Sequence, residues 1–107
     1  METPRVLIGE SYPEVLGILE RVVRHLGYQP VRLRRGMTNE PPVADAVVVE
    51  RSYELGRELL GSLRRRNPGL RVVYLEKPFS LERLRDSLHE AVVSRGAGQV
   101  LVSVTKR

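Results

Sequence analysis

The strongest constraint on the fold is a pattern in which a short apolar run ends on a charged residue. Three runs show it, at residues 5–10, 45–50 and 71–77. Short runs rich in β-branched residues are typical of central parallel strands, which are buried on both faces. If the three runs are parallel strands, Glu10, Glu50 and Lys77 meet at one edge of the sheet. That edge is where open α/β sheets bind their ligands.

The segments after these runs carry helix signals. Ser11 is predicted as the N-cap of the first helix, with Pro13 in the first turn and Glu14 at the spacing of a capping box. A broad apolar helical face follows, and Gly27 is the predicted stop.

Two further helices are predicted in the second half of the chain. Ser52 and Ser80 are the expected caps, and leucines then recur at helical spacing. The first of these helices is expected to end at residues 67–69, and the second at Gly96.

The remaining segments complete an α/β alternation. Residues 30–33 are predicted as a short strand, and residues 36–42 as a loop because a glycine and two prolines interrupt them. The run at 99–104 either adds an edge strand or pairs with another copy of the chain. We therefore predict an open, doubly wound, mainly parallel α/β sheet with about three helices, in which one crossover lacks its helix. Residues 1–96 form this domain, and residues 97–107 form a strand or tail.

Composition limits the possible functions. The 107 residues are enough for one domain, and the absence of cysteine excludes disulfides, thiolate metal sites and thiol nucleophiles. No apolar stretch reaches the roughly 18 residues that cross a bilayer, and no secretion signal opens the chain. A cytoplasmic protein that does not contact membranes is expected.

The net charge of +5 rests on 16 arginines and 2 lysines. Arg64, Arg65 and Arg66 form the densest cluster and are candidate contacts to nucleic acid or to an acidic partner. Solvated helix and strand ends are the favoured interpretation, because one Phe and four Tyr offer little for base stacking.

With the strands placed, residues 4–93 resemble the receiver domain of two-component response regulators, which implies a flavodoxin-like fold. Pro4 to Leu16 is similar to the family's opening, in which a strand ends in acids and a helix follows. The run that ends at Glu50 resembles the strand that delivers the phosphorylated aspartate. Lys77-Pro78 resembles the family's lysine and the proline after it, and Tyr74 lies where the family often has its switch aromatic.

The departures from this family are equally informative. Glu10 matches the first acid of the family's Mg²⁺ site, but Ser11 stands at the second. Glu50 stands at the acceptor position, where its extra methylene displaces the carboxylate from in-line phosphoryl transfer. These substitutions indicate a pseudo-receiver in which the phosphoacceptor site is degenerate.

The interval between Glu50 and Lys77 is also short. It holds one helix and one strand, whereas the family places a further helix and strand there, with a Ser or Thr hydroxyl for the phosphoryl group. Lys77 is expected to reduce the repulsion between Glu10 and Glu50. One hypothesis goes further, in that a Glu50–Lys77 ion pair mimics the phosphorylated state.

Other chemical sites are not indicated. His25 and His89 lie on different predicted helices without metal-ligand spacing, and no Gly-rich phosphate loop follows a strand. We expect no metal, no cofactor and no enzymatic activity.

The sequence therefore predicts a phosphorylation-independent, receiver-like interaction module of bacterial-type signal transduction. Its expected partner is a protein of unknown identity, or a second copy bound through the C-terminal strand or an exposed sheet edge. The alternative is a small basic protein that binds nucleic acid through its arginines.

Overall fold

The computed structural model describes residues 3–93 and 101–104, which form a sheet with helices on both faces. The strands are β1 (Arg5–Gly9), β2 (Gln29–Arg32), β3 (Ala46–Glu50), β4 (Arg71–Leu75) and β5 (Leu101–Val104). The helices are α1 (Pro13–His25), α2 (Glu54–Arg66) and α3 (Leu81–Val93), with a short 3-10 helix at Arg35–Thr38. This alternation confirms the predicted α/β class.

The five strands are parallel and lie in the order β2-β1-β3-β4-β5. β5 pairs with β4 in the same chain, from Val72 opposite Leu101 to Leu75 opposite Val104. The described part of the run predicted at 99–104 is thus a strand at the edge of the sheet, paired within its own chain. Residues 99 and 100, and the predicted helix stop at Gly96, lie outside the described residues. The fifth strand therefore follows Lys77 in the chain.

The sheet has a separate apolar core on each face. Val6 and Ile8 of β1 belong to the cluster beneath α1 and α3, whereas Leu7 between them belongs to the cluster beneath α2. Alternate residues of a strand point to opposite faces, so a strand covered on both faces must be apolar throughout. This requirement explains why the apolar runs located the central strands so closely.

Two of the three predicted helix caps are wrong. The N-cap residues of α1 and α2 are Tyr12 and Tyr53, and neither helix start has a side-chain cap. Ser11 and Ser52 instead donate backbone hydrogen bonds to the carboxylates of Glu10, which follows β1, and Glu50, which ends β3. The prediction for Ser80 is confirmed, since its Oγ accepts a hydrogen bond of 3.3 Å from the Arg83 N–H.

Of two further predictions, the stop of α1 is confirmed and the loop at 36–42 is partly wrong. Gly27 ends α1 as expected, with a φ of 86° and a hydrogen bond from Tyr28 N to Val23 O that closes the last turn. The loop prediction for 36–42 is partly wrong, because the 3-10 helix occupies its first residues. The two prolines lie beyond this turn and so do not prevent it.

The α2 side of the sheet depends on a close approach of helix to strand. Gly56 of α2 lies directly against Val49 of β3, and a Cβ added there would overlap Val49 Cγ2. A Cβ on Gly9 would lie 2.9 Å from both Leu33 and the Tyr53 ring. Because neither glycine has a Cβ, the connection between β3 and α2 can pack closely against the carboxyl ends of the strands.

None of the helices in the described segments is long and apolar enough to cross a membrane.

Candidate functional site

The strand register brings the three charged strand ends to one edge of the sheet. Gly9 lies opposite Val49, and Glu50 lies opposite Leu75, so the residues after β1, β3 and β4 emerge side by side. Glu10 and Glu50 are both buried there, and Lys77 follows β4 by two residues. The predicted juxtaposition of Glu10, Glu50 and Lys77 at the carboxyl ends of the strands is thus observed.

Glu10 and Lys77 form the ion pair at this edge. Lys77 Nζ lies 2.7 Å from Glu10 Oε1, and the Glu10 side chain is 0% exposed whereas that of Lys77 is 33% exposed. The second oxygen, Oε2, accepts a hydrogen bond of 3.0 Å from the Ser11 N–H. A buried carboxylate is costly unless a cation or donors compensate it, and here both do.

Lys77 has a second contact that the sequence did not indicate. Its Nζ lies 4.1 Å from the centroid of the Tyr12 ring, within the range of a cation–π interaction. Tyr12 is 63% exposed, so its ring forms part of the outer surface at this edge. The only signal for this contact in the sequence is an aromatic residue two positions after Glu10, the acid that follows β1.

Glu50 does not join this ion pair. Its Oε2 accepts hydrogen bonds from the Ser52 N–H, at 3.0 Å, and from the Ser52 hydroxyl. The ion pairs among the described residues do not include Glu50. The hypothesis of a Glu50–Lys77 pair is therefore wrong. A donor two residues along the chain costs little entropy to bring into place, so the carboxylate folds back onto its own turn.

Tyr74, the predicted switch aromatic, lies half-buried on β4 and packs against the α2-side core. Arg51, in the turn after β3, places its guanidinium carbon 5.9 Å from the Tyr74 ring centroid. The same guanidinium lies 3.9 Å from Glu76 Oε2, and both charged side chains are exposed. The aromatic ring is thus covered by a charged residue of the neighbouring turn.

Arg64, Arg65 and Arg66 occupy the last turn of α2. This turn is distant along the helix from the Glu50 turn, which precedes the start of α2. Positive charge there offsets the negative end of the helix dipole, and Arg65 also donates a hydrogen bond of 3.2 Å to Ser62 Oγ. These contacts give the cluster a role in helix stability.

The donor set for a metal is sparse. Among the described residues, no group of three or more His, Asp or Glu side chains is arranged to hold a metal ion. Only Glu10 stands where the resemblance implies the acids of a Mg²⁺ site, and its Oε1 is engaged by Lys77. Of the two histidines, His89 forms a hydrogen bond of 3.0 Å between Nδ1 and the Tyr28 hydroxyl.

No protein-family model matches the chain, and no curated protein matches it. Several solved structures match the fold of this chain. A sensor protein from Polaromonas sp. superposes with a TM-score of 0.67 at 20% identity, over 87% of this chain and 98% of that one. A response regulator receiver domain protein from Clostridium thermocellum gives 0.68 at 13% identity, over 85% and 95%.

A third similar structure is the receiver domain of a sensor histidine kinase from Pseudomonas aeruginosa, solved with a magnesium ion coordinated in its active site cleft. It gives a TM-score of 0.64 at 18% identity, over 86% of this chain and 99% of that one. These likenesses show that the chain has a receiver-like fold.

Proposed function

We propose that this chain is a receiver-like protein-interaction module that works without accepting a phosphoryl group. The observation that carries the proposal is the state of Glu50, at the position that resembles the phosphoacceptor. Its carboxylate is buried and accepts two hydrogen bonds from Ser52. A nucleophile in in-line transfer needs its oxygen directed at the phosphorus, with a metal or cations around the transferred group.

The surroundings of Glu50 support the same conclusion. Lys77, the cation that the resemblance implies for the phosphoryl group, is committed to Glu10 and Tyr12. Ser11, at the position of the second acid, offers no carboxylate to a divalent cation. Both glutamates and the lysine of this site are therefore engaged in contacts that stabilise the sheet edge. Function then depends on surfaces that bind other macromolecules, as in bacterial-type signalling.

Phosphorylation can be tested directly. The protein is incubated with Mg²⁺ and a small phosphodonor such as acetyl phosphate, and its intact mass is measured beside a receiver domain that retains the aspartate. We expect the reference domain to gain one phosphoryl group and this chain to gain none. Incorporation that is lost in Glu50→Gln, but kept in Glu54→Gln a few residues away, would contradict the proposal.

A second experiment separates the acceptor from the metal site. Glu50→Asp restores the residue type of the family's acceptor, and Ser11→Asp with Glu50→Asp also restores the second acid. We expect neither variant to gain phosphate, because Lys77 remains engaged. Incorporation by the double variant alone would show that these two substitutions are sufficient to block transfer.

A further inference from the structure

A groove of about 470 Å³ is lined by α1 and α3, on the face of the sheet opposite α2. Arg21, Val22 and His25 line it from α1, and Leu81, Glu82 and Arg85 line it from α3. None of the residues of the Glu10–Lys77 site lines this groove. It is a separate feature of the surface, with a volume in the range of ordinary binding sites.

Large apolar side chains are exposed in the groove and beside it. Leu81, which lines the groove, is 51% exposed, and Ile18, which lies one turn before Val22 on the same side of α1 and outside the lining, is 39% exposed. Val22 itself is half-buried and packs against the core beneath α1 and α3. Ile18, Val22 and Leu81 together offer apolar surface of the kind that the apolar stripe of an amphipathic helix covers.

The charges of the groove identify the kind of helix. Arg21 and Arg85 are both exposed, and Glu82 is the one acidic side chain among the described lining residues. Arg85 also lies 3.7 Å from Asp86, but a pair this exposed contributes little and yields readily to another carboxylate. A partner that places Asp or Glu beside its apolar stripe therefore complements the two arginines.

The shape of the groove is set before any partner arrives. Leu19 and Val23 of α1 and Leu84 and Leu88 of α3 are buried in one shared core. The hydrogen bond between the Tyr28 hydroxyl and His89 ties the chain after α1 to α3. The Tyr28 phenol is protonated at neutral pH, and burial raises its pKa further above the ordinary value of 10.0. A preorganised groove reduces the entropy cost of binding.

We propose that the α1–α3 groove binds an acidic amphipathic helix of a partner protein. The proposal rests on the proposed function as an interaction module and names the surface and the partner chemistry. Leucines or similar residues of the partner cover Ile18, Val22 and Leu81, and its carboxylates pair with Arg21 and Arg85. A second copy of this chain fits less well, because it carries a net charge of +5 toward a cationic groove.

The test uses a synthetic helical peptide of about 15 residues, a length at which an isolated helix becomes stable in water. It carries leucines at i, i+4 and i+7 with glutamates beside them, and a matched peptide has lysine in place of every glutamate. We expect saturable binding of the acidic peptide with amide shifts confined to α1 and α3, and binding of the lysine peptide at least about tenfold weaker.

Charge reversals locate the contact. Arg21→Glu with Arg85→Glu is expected to weaken binding of the acidic peptide by at least about tenfold, and Leu81→Asp to weaken it similarly. Arg65→Glu with Arg66→Glu, at the end of α2, is the matched control and should change affinity less than twofold by the same argument. Circular dichroism and thermal melts confirm that each variant is folded.

Three results would overturn the proposal. The first is the absence of saturable binding at up to about 1 mM peptide. The others are equal losses of affinity in the two double arginine variants, and peptide-induced amide shifts on the α2 face. Sedimentation that shows dimers which Leu81→Asp dissociates would assign the groove to a second copy. Tighter binding of duplex DNA than of peptide, lost on reversal of Arg21 and Arg85, would assign it to nucleic acid. Phosphate incorporation is measured separately, so either proposal can fail while the other stands.

Discussion

Lys77 Nζ lies 2.7 Å from Glu10 Oε1, and the carboxylate that it meets has no solvent exposure. Because water cannot reach this oxygen, removal of the ammonium leaves a buried charge without a cation. The pair joins the ends of two strands, β1 and β4, that are separated in the sheet by β3. Its contribution to stability can be measured.

Lys77→Met is expected to lower the free energy of unfolding by about 2 kcal/mol, below the value for a fully buried pair because Lys77 is partly exposed. Glu10→Gln with Lys77→Met should lose less than the sum of the single changes, since the uncompensated charge is gone. Urea unfolding of the wild type, the two single variants and the double variant gives the coupling energy between Glu10 and Lys77. Glu76→Gln, which breaks the exposed pair with Arg51, is the control and should cost less than about 0.5 kcal/mol.

Gly56→Ala is expected to destabilise the protein by about 2 kcal/mol or more, although alanine favours helices, because the new methyl group would overlap Val49. Gly61→Ala in the same helix meets only the flexible end of Arg65, at 3.7 Å. This control should stabilise the protein by about 0.5–1 kcal/mol. Thermal unfolding measures both, and a stabilised Gly56→Ala would show that α2 packs less closely than described.

Asn67→Ala should cost about 2–3 kcal/mol, because the buried amide joins the end of α2 to the segment before β3. Its Oδ1 accepts a hydrogen bond from Ala44 N at 2.9 Å, and its Nδ2 donates to Pro42 O and Leu63 O. Chemical denaturation measures the loss. The exposed Asn39→Ala should change stability by less than about 0.5 kcal/mol, and equal losses in both variants would refute this account.

Glu20 is expected to contribute to acid stability. The Arg32 guanidinium, bonded to both carboxylate oxygens at 3.0 Å, holds the pKa of Glu20 below its ordinary value of 4.5. A depressed folded-state pKa gives stability that is present above the unfolded pKa and is lost as the pH falls through the folded one.

Glu20→Gln should therefore flatten the fall in stability below pH 4.5, while Arg32→Gln should lower stability at neutral pH and flatten the same region. Denaturation midpoints between about pH 2 and 7 test this. A profile for Glu20→Gln parallel to that of the wild type would disprove the coupling.

The strands of this fold were predictable because a parallel strand covered on both faces must be apolar. The apolar run at 71–77 begins where β4 begins, and the strand occupies Arg71–Leu75. The edge strands are less apolar and were located less well, as shown by β2 at Gln29–Arg32 against a predicted 30–33. The convergence of Glu10, Glu50 and Lys77 followed from the parallel arrangement alone.

The contacts made at that edge were not predictable from local patterns. Ser11 and Ser52 have the chemistry of helix caps, but each follows a buried carboxylate that needs donors more than the helix does. The choice of Lys77 between two carboxylates depends on the path of each turn. So does the position of Tyr12, because the turn between β1 and α1 determines which way its ring faces.

The position of β5 in the chain affects how the protein is made. On the ribosome, β4 and Lys77 emerge before the strand that covers the outer edge of β4, and residues 101–104 come last among the described segments. Until then β4 presents an open row of backbone donors and acceptors, the kind of edge at which nascent chains associate. The outer edge of β4 is thus covered in newly synthesised protein only when residues 101–104 have docked.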